Sequence, residues 1–304
     1  MFNGKRIIIT GGTGTLGRAV IKYIFANYSP EKVIVFSRDE FKQFNMRKEF
    51  PDPQYDKLRF LLGDVRDYER LKTALHGVDY VVHAAALKQV PMLEYNPEEA
   101  VKTNVLGSMN VVRACIENNV KRAVLVSTDK SVNPISLYGA TKLTAEKLFI
   151  AANAYNKTEF CCVRYGNVIG SRGSVIPYFQ ELIKNGSDYL PLTNKLMTRF
   201  WITTGEAVNL VMRGLSDLPA GKILIPMAKS MTMGELAGAM NPWYSTVESG
   251  IRAGEKMHES LSSEDNANVC ILDGDEIKDF HKIYTSDKAE RMTGGELVEK
   301  INGG

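Results

Sequence analysis

The sequence predicts an α/β protein, a doubly wound parallel sheet followed by a smaller, mixed C-terminal lobe. Three observations carry this. Short, apolar, β-branched runs alternate with amphipathic stretches through the first half, the pattern of parallel strands joined by helical crossovers. The first run passes directly into a glycine-rich turn and then into an amphipathic stretch. After Tyr165 the rhythm loosens, glycines and prolines become frequent and the elements shorten.

Taken in order, the apolar runs place strands at Arg6–Thr10, Val33–Ser37, Leu58–Leu62, Tyr80–His83, Ala123–Ser127 and Phe160–Arg164. The stretches between them place helices at Leu16–Ala26, Glu40–Phe50, Tyr68–Leu75, Glu98–Asn118 and Leu137–Ala154. Asn96-Pro97 starts the fourth helix, with Asn as cap and Pro at the first helical position. Right-handed crossovers wind the helices onto the sheet. Beyond these, the strand candidate Lys222–Pro226 stands isolated, and Met227, Met231, Met233 and Met240 read as core filler and loop contacts. Residues 1–165 form the sheet domain and 166–304 the second lobe, interleaved without a sharp linker.

The 304 residues suffice for one large domain or two smaller ones. Hydrophobic and charged contents of 44% and 24% are those of an ordinary globular protein. A net charge of +3 suits an anionic small molecule and is too weak and dispersed for a nucleic-acid binder. Cys115, Cys161, Cys162 and Cys270 lack metal or redox spacing and read as buried thiols of a reducing cytosol. His76, His83, His258 and His281 are scattered and form no ligand pair, so no metal site is expected. No apolar run approaches the ~20 residues of a membrane span. The N-terminus leads straight into a strand, leaving no room for a signal peptide. A cytoplasmic protein is expected.

The turn Thr10-Gly-Gly-Thr-Gly-Thr-Leu-Gly17 sets Gly11, Gly14 and Gly17, with Thr13, Thr15 and Leu16, between strand and helix. Glycine serves the sharp turn, the approach of backbone to a pyrophosphate and close helix–strand packing. The helix then aims its N–H groups and positive dipole end at that pyrophosphate. In this setting the turn reads as the dinucleotide site of a Rossmann sheet, the alternative being a tight turn without ligand. The second strand ends Phe36-Ser37-Arg38-Asp39, without the acidic terminal residue typical of an NAD site. Ser37 and Arg38 suit a 2′-phosphate, and Lys42 adds charge one turn on, so NADP is favoured over NAD. Asp39 argues the other way, and a surface ion pair with Arg38 is the alternative. Asp64 and Val65 flank the adenine, unless Asp64 simply caps its loop.

Tyr138 and Lys142 are spaced by one helical turn and share a face. A tyrosine titrating near 10 needs help to act as a base near neutrality. The Lys142 ammonium would favour the phenolate, and a fall of ~3 pH units is worth about 4 kcal/mol. Just upstream, Asp129-Lys130 lies at the C-terminal end of the fifth strand, the edge where open α/β sheets bind ligands.

On these residues the chain resembles the extended short-chain dehydrogenase/reductases. More narrowly it resembles the soluble, inverting UDP-N-acetylglucosamine 4,6-dehydratases that open pseudaminic acid biosynthesis. The resemblance runs through TGGTGTLG (10–17), FSRDEFKQFNM (36–46), HAAALKQVPMLEYNP (83–97), STDKSVNPISLYGATK (127–142), VRYGNVIGSRGSVIP (163–177), MTRFWIT (197–203) and GIRAGEKMHE (250–259). Ala253 stands where the family tends to have proline, and the lobe before Gly250 is short.

The resemblance implies loss of water across carbons 5 and 6 of a UDP-hexosamine through a 4-ketone. Tyr138 would take the carbon 4 hydroxyl proton, with Thr128 bonding the carbon 4 oxygen. Lys130 would be the base at carbon 5 and Asp129 the acid at the carbon 6 hydroxyl. Such a lysine must be neutral and such an aspartate protonated, whereas a structural ion pair would keep both charged. Further implied coenzyme contacts are Ala84, Ala85, Lys88, Tyr138 and Lys142. Asn167 would meet the substrate phosphates and Lys88 the sugar pocket, and the basic residues Arg172, Arg199, Arg252 and Lys256 suit a diphosphate. Glu255 is placed to bind a ribose hydroxyl. Relatives form dimers and hexamers, with Glu98–Asn118 and Leu137–Ala154 as the candidate interface helices. A UDP-sugar 4-epimerase, which has no need of Asp129 and Lys130, and a non-catalytic NADP-sensing protein are the rivals.

Overall fold

A computed structural model of the chain describes residues 1–51, 53, 55–171, 173–264 and 267–303. Six strands and their crossovers follow the expected order: β1 (Arg6–Thr10), α1 (Thr15–Asn27), β2 (Lys32–Ser37), α2 (Glu40–Glu49), β3 (Leu58–Leu62), α3 (Tyr68–Ala74) and β4 (Tyr80–His83). Next come α4 (Val90–Tyr95), α5 (Pro97–Ala100), a π-helical segment (Val101–Leu106) and α6 (Gly107–Glu117). Then follow β5 (Arg122–Val126), α7 (Leu137–Ala151) and β6 (Glu159–Val163). The second half adds β7 (Asn167–Val168), α8 (Val175–Lys184), β8 (Tyr189–Leu192), β9 (Thr198–Ile202) and α9 (Thr204–Ser216). It continues with β10 (Ile223–Pro226), β11 (Lys229–Thr232), α10 (Met233–Met240), β12 (Ser245–Glu248) and β13 (Ser260–Ser262). The last elements are β14 (Val269–Asp273), β15 (Glu276–Asp279), β16 (Tyr284–Thr285) and α11 (Gly294–Asn302).

The central sheet runs β15-β14-β10-β6-β5-β4-β1-β2-β3, parallel except for the β14–β15 edge. Helices on both faces leave its middle strands no solvent side, which is why they read as continuous apolar runs. Ile7, Ile8 and Ile9 are each 0% exposed. A second, smaller core gathers Ile176, Phe179, Leu190, Trp201, Met231, Leu236 and Leu297 around the β7–β9–β11 sheet. Met231 belongs to that core, whereas Met227 is exposed.

Three local expectations are corrected. Lys222–Pro226 is not isolated, because β10 pairs in parallel with β6 and β14 inside the main sheet. Its apolar Ile-Leu-Ile-Pro run is that of a strand covered on both faces. Asn96 does not cap α5, since its side-chain amide donates instead to the Met92 carbonyl (2.8 Å). The helix expected at Glu98–Asn118 is interrupted by the π segment, which turns Asn104 inward to bond both backbone groups of Leu87 and the Thr141 hydroxyl.

All four cysteines are buried and free. Among the described residues no helix is long and apolar enough to cross a membrane.

The glycines of the first turn act by contact. A Cβ on Gly17 would lie 2.4 Å from the Gly12 carbonyl oxygen, so only glycine lets α1 lie this close to the end of β1. Gly17→Ala is expected to cost about 1–3 kcal/mol as an overpacked site. Gly205→Ala, where a Cβ would meet only the Thr203 hydroxyl at 3.9 Å, should be neutral or stabilising. Denaturant midpoints check this, and equal midpoints for the two variants would contradict it.

Candidate active site

The first part of the site is the turn from β1 to α1. Gly11 takes φ +66°, and a Cβ there would stand 2.8 Å from the Ala85 Cα. The turn is thus packed back to back with Ala84 and Ala85 at the end of β4. The Thr10 hydroxyl holds the two strand ends together, bonding the His83 ring (2.7 Å) and accepting from the Ala85 N–H (3.3 Å). Gly14 sits at the N-cap of α1, which has no side-chain cap and no acidic residue in its first turn. A helix start of this kind, open at Gly14 and with its dipole uncompensated, fits a pyrophosphate.

At the end of β2 the predicted residues separate. Asp39 caps α2 by accepting from the Lys42 N–H (2.9 Å) and pairs with the Lys42 ammonium (3.0 Å). The alternative Arg38–Asp39 pair therefore does not form. Arg38 instead reaches Asp64 at 3.5 Å and remains half exposed. The Ser37 hydroxyl is held by Gln43. Asp64 does cap its own loop, accepting from the Arg66 N–H (3.0 Å), and Val65 is buried.

The chemical centre forms where β5 and β6 end. After Val126 the chain makes a 3₁₀ turn, Asp129–Ser131, pinned to the neighbouring segment by the Asp129 N–H bond to the Tyr165 carbonyl (3.0 Å). Asp129 is 0% exposed. Its Oδ1 accepts from the Thr128 hydroxyl (2.9 Å) and the Lys130 ammonium (3.1 Å), while its Oδ2 has no partner among the described residues. The Tyr138 hydroxyl, on the first turn of α7, lies beside Thr128 and Lys130. Lys142 and Glu146 follow at successive turns of the same face, both buried. Glu146 is clamped by Arg164 (2.7 and 3.1 Å), Ser131 (2.8 Å) and Ser127.

Electrostatics set the resting protonation. Burial, reinforced by the Glu259 charge and opposed by Lys130, raises the Asp129 pKa, the direction an acid needs. Burial alone would lower the Lys130 ammonium, but Asp129 and Glu259 outweigh it and its pKa rises. Lys130 thus rests as an ammonium beside Asp129, and acting as a base would require its proton to move. The expected lowering of Tyr138 by Lys142 is likewise absent. Burial pushes Tyr138 up to about 12 against the opposing effects of Lys130 and Thr128. Lys142 itself falls to about 8, because burial outweighs Glu146. His83 is a neutral core residue, pushed down to about 3 by burial and by Lys142.

The residues expected at the nucleotide-sugar end are more dispersed. Lys88 stands at the solvent edge, its pKa lowered by partial desolvation and then by Lys130. Asn167 opens β7, partly buried. Arg199 is buried and bonds the carbonyls of Thr198 (2.7 Å) and Met257 (3.2 Å), which fixes it facing the Lys130 cluster. Arg252 is exposed, and Glu255 has a buried carboxylate oxygen without a hydrogen-bond partner. The loop between them is seated by Gly254 (φ +80°), whose Cβ would press on Ser136 at 3.0 Å. Arg172 lies outside the described residues. Among these described residues, no group of His, Cys, Asp and Glu is arranged to hold a metal.

Four residues went unassigned in the sequence. Glu146 was visible as one more step of the Tyr138–Lys142 spacing. Arg164 was visible as a charge ending a buried strand, and Asn104 as a polar residue within an apolar helix. Glu259, 3.3 Å from Lys130 across 129 sequence positions, had no local signal. A cleft at the opposite edge of the sheet, near Lys121 and Arg122, carries none of this chemistry, since those cations pair with Asp79 and Glu159.

Comparison with known proteins agrees with this geometry. The family model described as "Polysaccharide biosynthesis protein" matches residues 7–278. The chain is 49% identical over 291 residues to the UDP-N-acetylglucosamine 4,6-dehydratase (inverting) of Campylobacter jejuni strain 81-176, covering 95% of this chain and 85% of the relative. It is 43% identical over 294 residues to the UDP-glucose 4-epimerase of Rickettsia canadensis, covering 93% and 84%. The crystal structure of Pen from Bacillus thuringiensis superposes with a TM-score of 0.93 at 34% identity, covering 100% of this chain and 98% of that one. With an open dinucleotide turn, an Asp-Lys pair beside Tyr138 and these relatives, the chain belongs to the polysaccharide biosynthesis protein family and, within it, to the inverting UDP-N-acetylglucosamine 4,6-dehydratases.

Proposed function

We propose that the protein removes water across carbons 5 and 6 of UDP-N-acetylglucosamine, through a 4-keto intermediate and with inversion at carbon 5. The product is a UDP-4-keto-6-deoxy-L-hexosamine. The observation that carries this is the Asp129–Lys130 pair, 3.1 Å apart, with Asp129 also accepting from Thr128 and Tyr138 alongside. Redox chemistry at carbon 4 needs one proton carrier, whereas dehydration needs two more.

NADP is the coenzyme. Gly11, Thr13, Gly14, Thr15, Leu16 and Gly17 would hold its pyrophosphate, and Ser37, Arg38 and Lys42 its 2′-phosphate. Asp64 and Val65 would flank the adenine, with Ala84, Ala85 and Lys88 lining the remaining wall. When bound it would supply a hydride acceptor for carbon 4, a hydride donor for carbon 6 and a positive charge that favours the Tyr138 phenolate.

Tyr138 first releases its own proton to solvent as the positive charge of the bound coenzyme lowers its pKa, and the phenolate then accepts the carbon 4 hydroxyl proton, with Lys142 behind it on the same face. A proton shift across the 3.1 Å from Lys130 to Asp129 turns the ion pair into an amine and a carboxylic acid, arming both groups at once. Exclusion of water by the substrate favours that neutral pair. The Lys130 amine then takes the carbon 5 proton, and Asp129 gives its proton to the carbon 6 hydroxyl, which leaves as water. Arg252, Lys256, Arg172 and Asn167 serve the diphosphate, with Arg199 behind them, Lys88 at the sugar and Glu255 at a ribose hydroxyl.

The enzyme acts in the cytoplasm as a homo-oligomer, a dimer or hexamer. Support for the assembly comes from Tyr95, Val101, Leu106 and Met109, apolar side chains exposed along the α4–α6 face. The Rickettsia relative supports a second reading, a UDP-sugar 4-epimerase. That reaction would use Tyr138 and Lys142 and leave Asp129 and Lys130 without a task. A protein that only sensed NADP would need none of the four.

Lys130→Met separates these readings. Oxidation at carbon 4 should survive, so adding substrate should give reduced-nicotinamide absorbance with negligible solvent deuterium at carbon 5. Deoxygenated product at an unimpaired rate would reduce the pair to a structural role. For the coenzyme, calorimetric titration is expected to show tighter binding of NADP⁺ than of NAD⁺. Arg38→Ala should lose about 1.5–3 kcal/mol of NADP⁺ affinity, the scale of a hydrogen bond to a charged group. Equal affinities in the unmodified protein would contradict that choice.

A further inference from the structure

We propose that Glu259 is the positioning residue for the base at carbon 5: together with Asp129 it holds the Lys130 nitrogen in place, and it sets the pH range over which the pair works. This rests on the dehydratase reading of the site. Glu259 precedes β13 and comes from the far end of the sequence, yet its Oε1 lies 3.3 Å from the Lys130 ammonium. Only 2% of Glu259 is exposed. Its backbone is anchored as well, with the Glu259 N–H donating to the Ser286 hydroxyl (2.9 Å) and its carbonyl accepting from the Ser286 N–H (2.8 Å).

A second carboxylate at this distance has a definite mechanical effect. Lys130 ends a long, flexible stem, and Asp129 alone would leave its nitrogen free to swing about a single contact. Two acceptors confine it more closely than one. Once Lys130 has passed a proton to Asp129, the amine keeps two N–H donors and one lone pair. Donation to Glu259 then fixes where the lone pair points, and a base must be aimed as well as neutral. Glu259 touches no reacting atom in this scheme and acts only through Lys130.

The same carboxylate has an electrostatic effect of opposite sense. Its negative charge opposes loss of the Lys130 proton, so it stabilises the resting ion pair. The charged and titratable groups facing Lys130 from the surrounding elements are Asp129, Glu259, Arg199, Lys256, Lys88 and Tyr138. Of these, Asp129 and Glu259 hold the proton on Lys130, while Arg199, Lys256 and Lys88 push it off. Glu259 is itself kept ionised against burial by Lys130, Arg199 and Lys256, whose ammonium is 3.8 Å away. Removing the Glu259 charge leaves the three opposing cations in place, so both macroscopic pKa values of the Asp129–Lys130 pair must fall.

The test uses the full-length enzyme with NADP⁺ and UDP-N-acetylglucosamine. Deoxygenated product from the unmodified protein is verified first by NMR, and its failure there would count against the dehydratase reading and, with it, this proposal. Glu259→Gln keeps the shape and one acceptor. It is expected to move the whole kcat–pH profile to lower pH by about 1–3 units, the effect of a neighbouring opposite charge. Glu259→Leu loses the acceptor, and its kcat should fall by roughly 10²-fold, the scale of a misplaced group. KM and the absorbance from carbon 4 oxidation should hold. Dehydration by the unmodified enzyme together with an unmoved profile in Glu259→Gln would overturn the proposal while leaving the function intact. So would an equal loss of carbon 4 oxidation and dehydration in Glu259→Leu. Should the leucine variant not fold, the glutamine profile decides alone.

Discussion

A buried ion pair, Glu146 with Arg164, holds the site together, each side chain 1% exposed. Glu146 comes from α7. Its carboxylate also accepts from Ser127 and Ser131 on either side of Thr128-Asp129-Lys130. Arg164 follows β6 and donates its third nitrogen to the Leu261 carbonyl on β13 (2.7 Å). One cluster therefore joins the helix bearing Tyr138 and Lys142, the turn bearing Asp129 and Lys130, and the strand that Glu259 precedes. Removing one member of such a pair leaves an uncompensated buried charge and typically costs about 3–5 kcal/mol. Every oxygen of Glu146 is satisfied, which is the condition for a buried charge to rigidify its surroundings.

That rigidity has a purpose in the chemistry. The residues around Lys130 carry two negative charges and three further positive ones within a small volume, and such a cluster would disperse if its backbone could relax. Held in place, it keeps Asp129 buried with one unpartnered oxygen and Lys130 between two carboxylates. The proposed reaction moves a proton between these groups, and the free Asp129 oxygen leaves room for a ligand to bond there. Tyr138, pushed up to about 12 by its surroundings, shows that the protein by itself does not make every group ready.

The sheet was legible because its strands are covered on both faces. Continuous runs such as Ile7-Ile8-Ile9 and Val81-Val82 leave no other reading, and β1 to β6 fall within a residue of their expected positions. Lys222–Pro226 was recognised as a strand but not placed, since pairing across some sixty residues leaves no periodic trace. Asn96 followed the cap rule in sequence and broke it in space, because a neighbouring helix end offered its amide a carbonyl. At the site, Tyr138, Lys142, Asp129 and Lys130 were readable from local spacing. Their protonation was not, because burial and a carboxylate from β13's approach set it. Arg199, expected at the diphosphate, is also held by backbone carbonyls, an anchoring that only tertiary structure shows.

In the proposed reaction one rigid cluster directs the oxidised sugar toward loss of water. This is tested most directly by incubating the purified protein with UDP-N-acetylglucosamine in heavy water and identifying the product by NMR. A 6-deoxy-4-keto sugar with inverted configuration and deuterium at carbon 5 is the predicted result. Recovery of the carbon 4 epimer with its carbon 6 oxygen intact and no label at carbon 5 would contradict it.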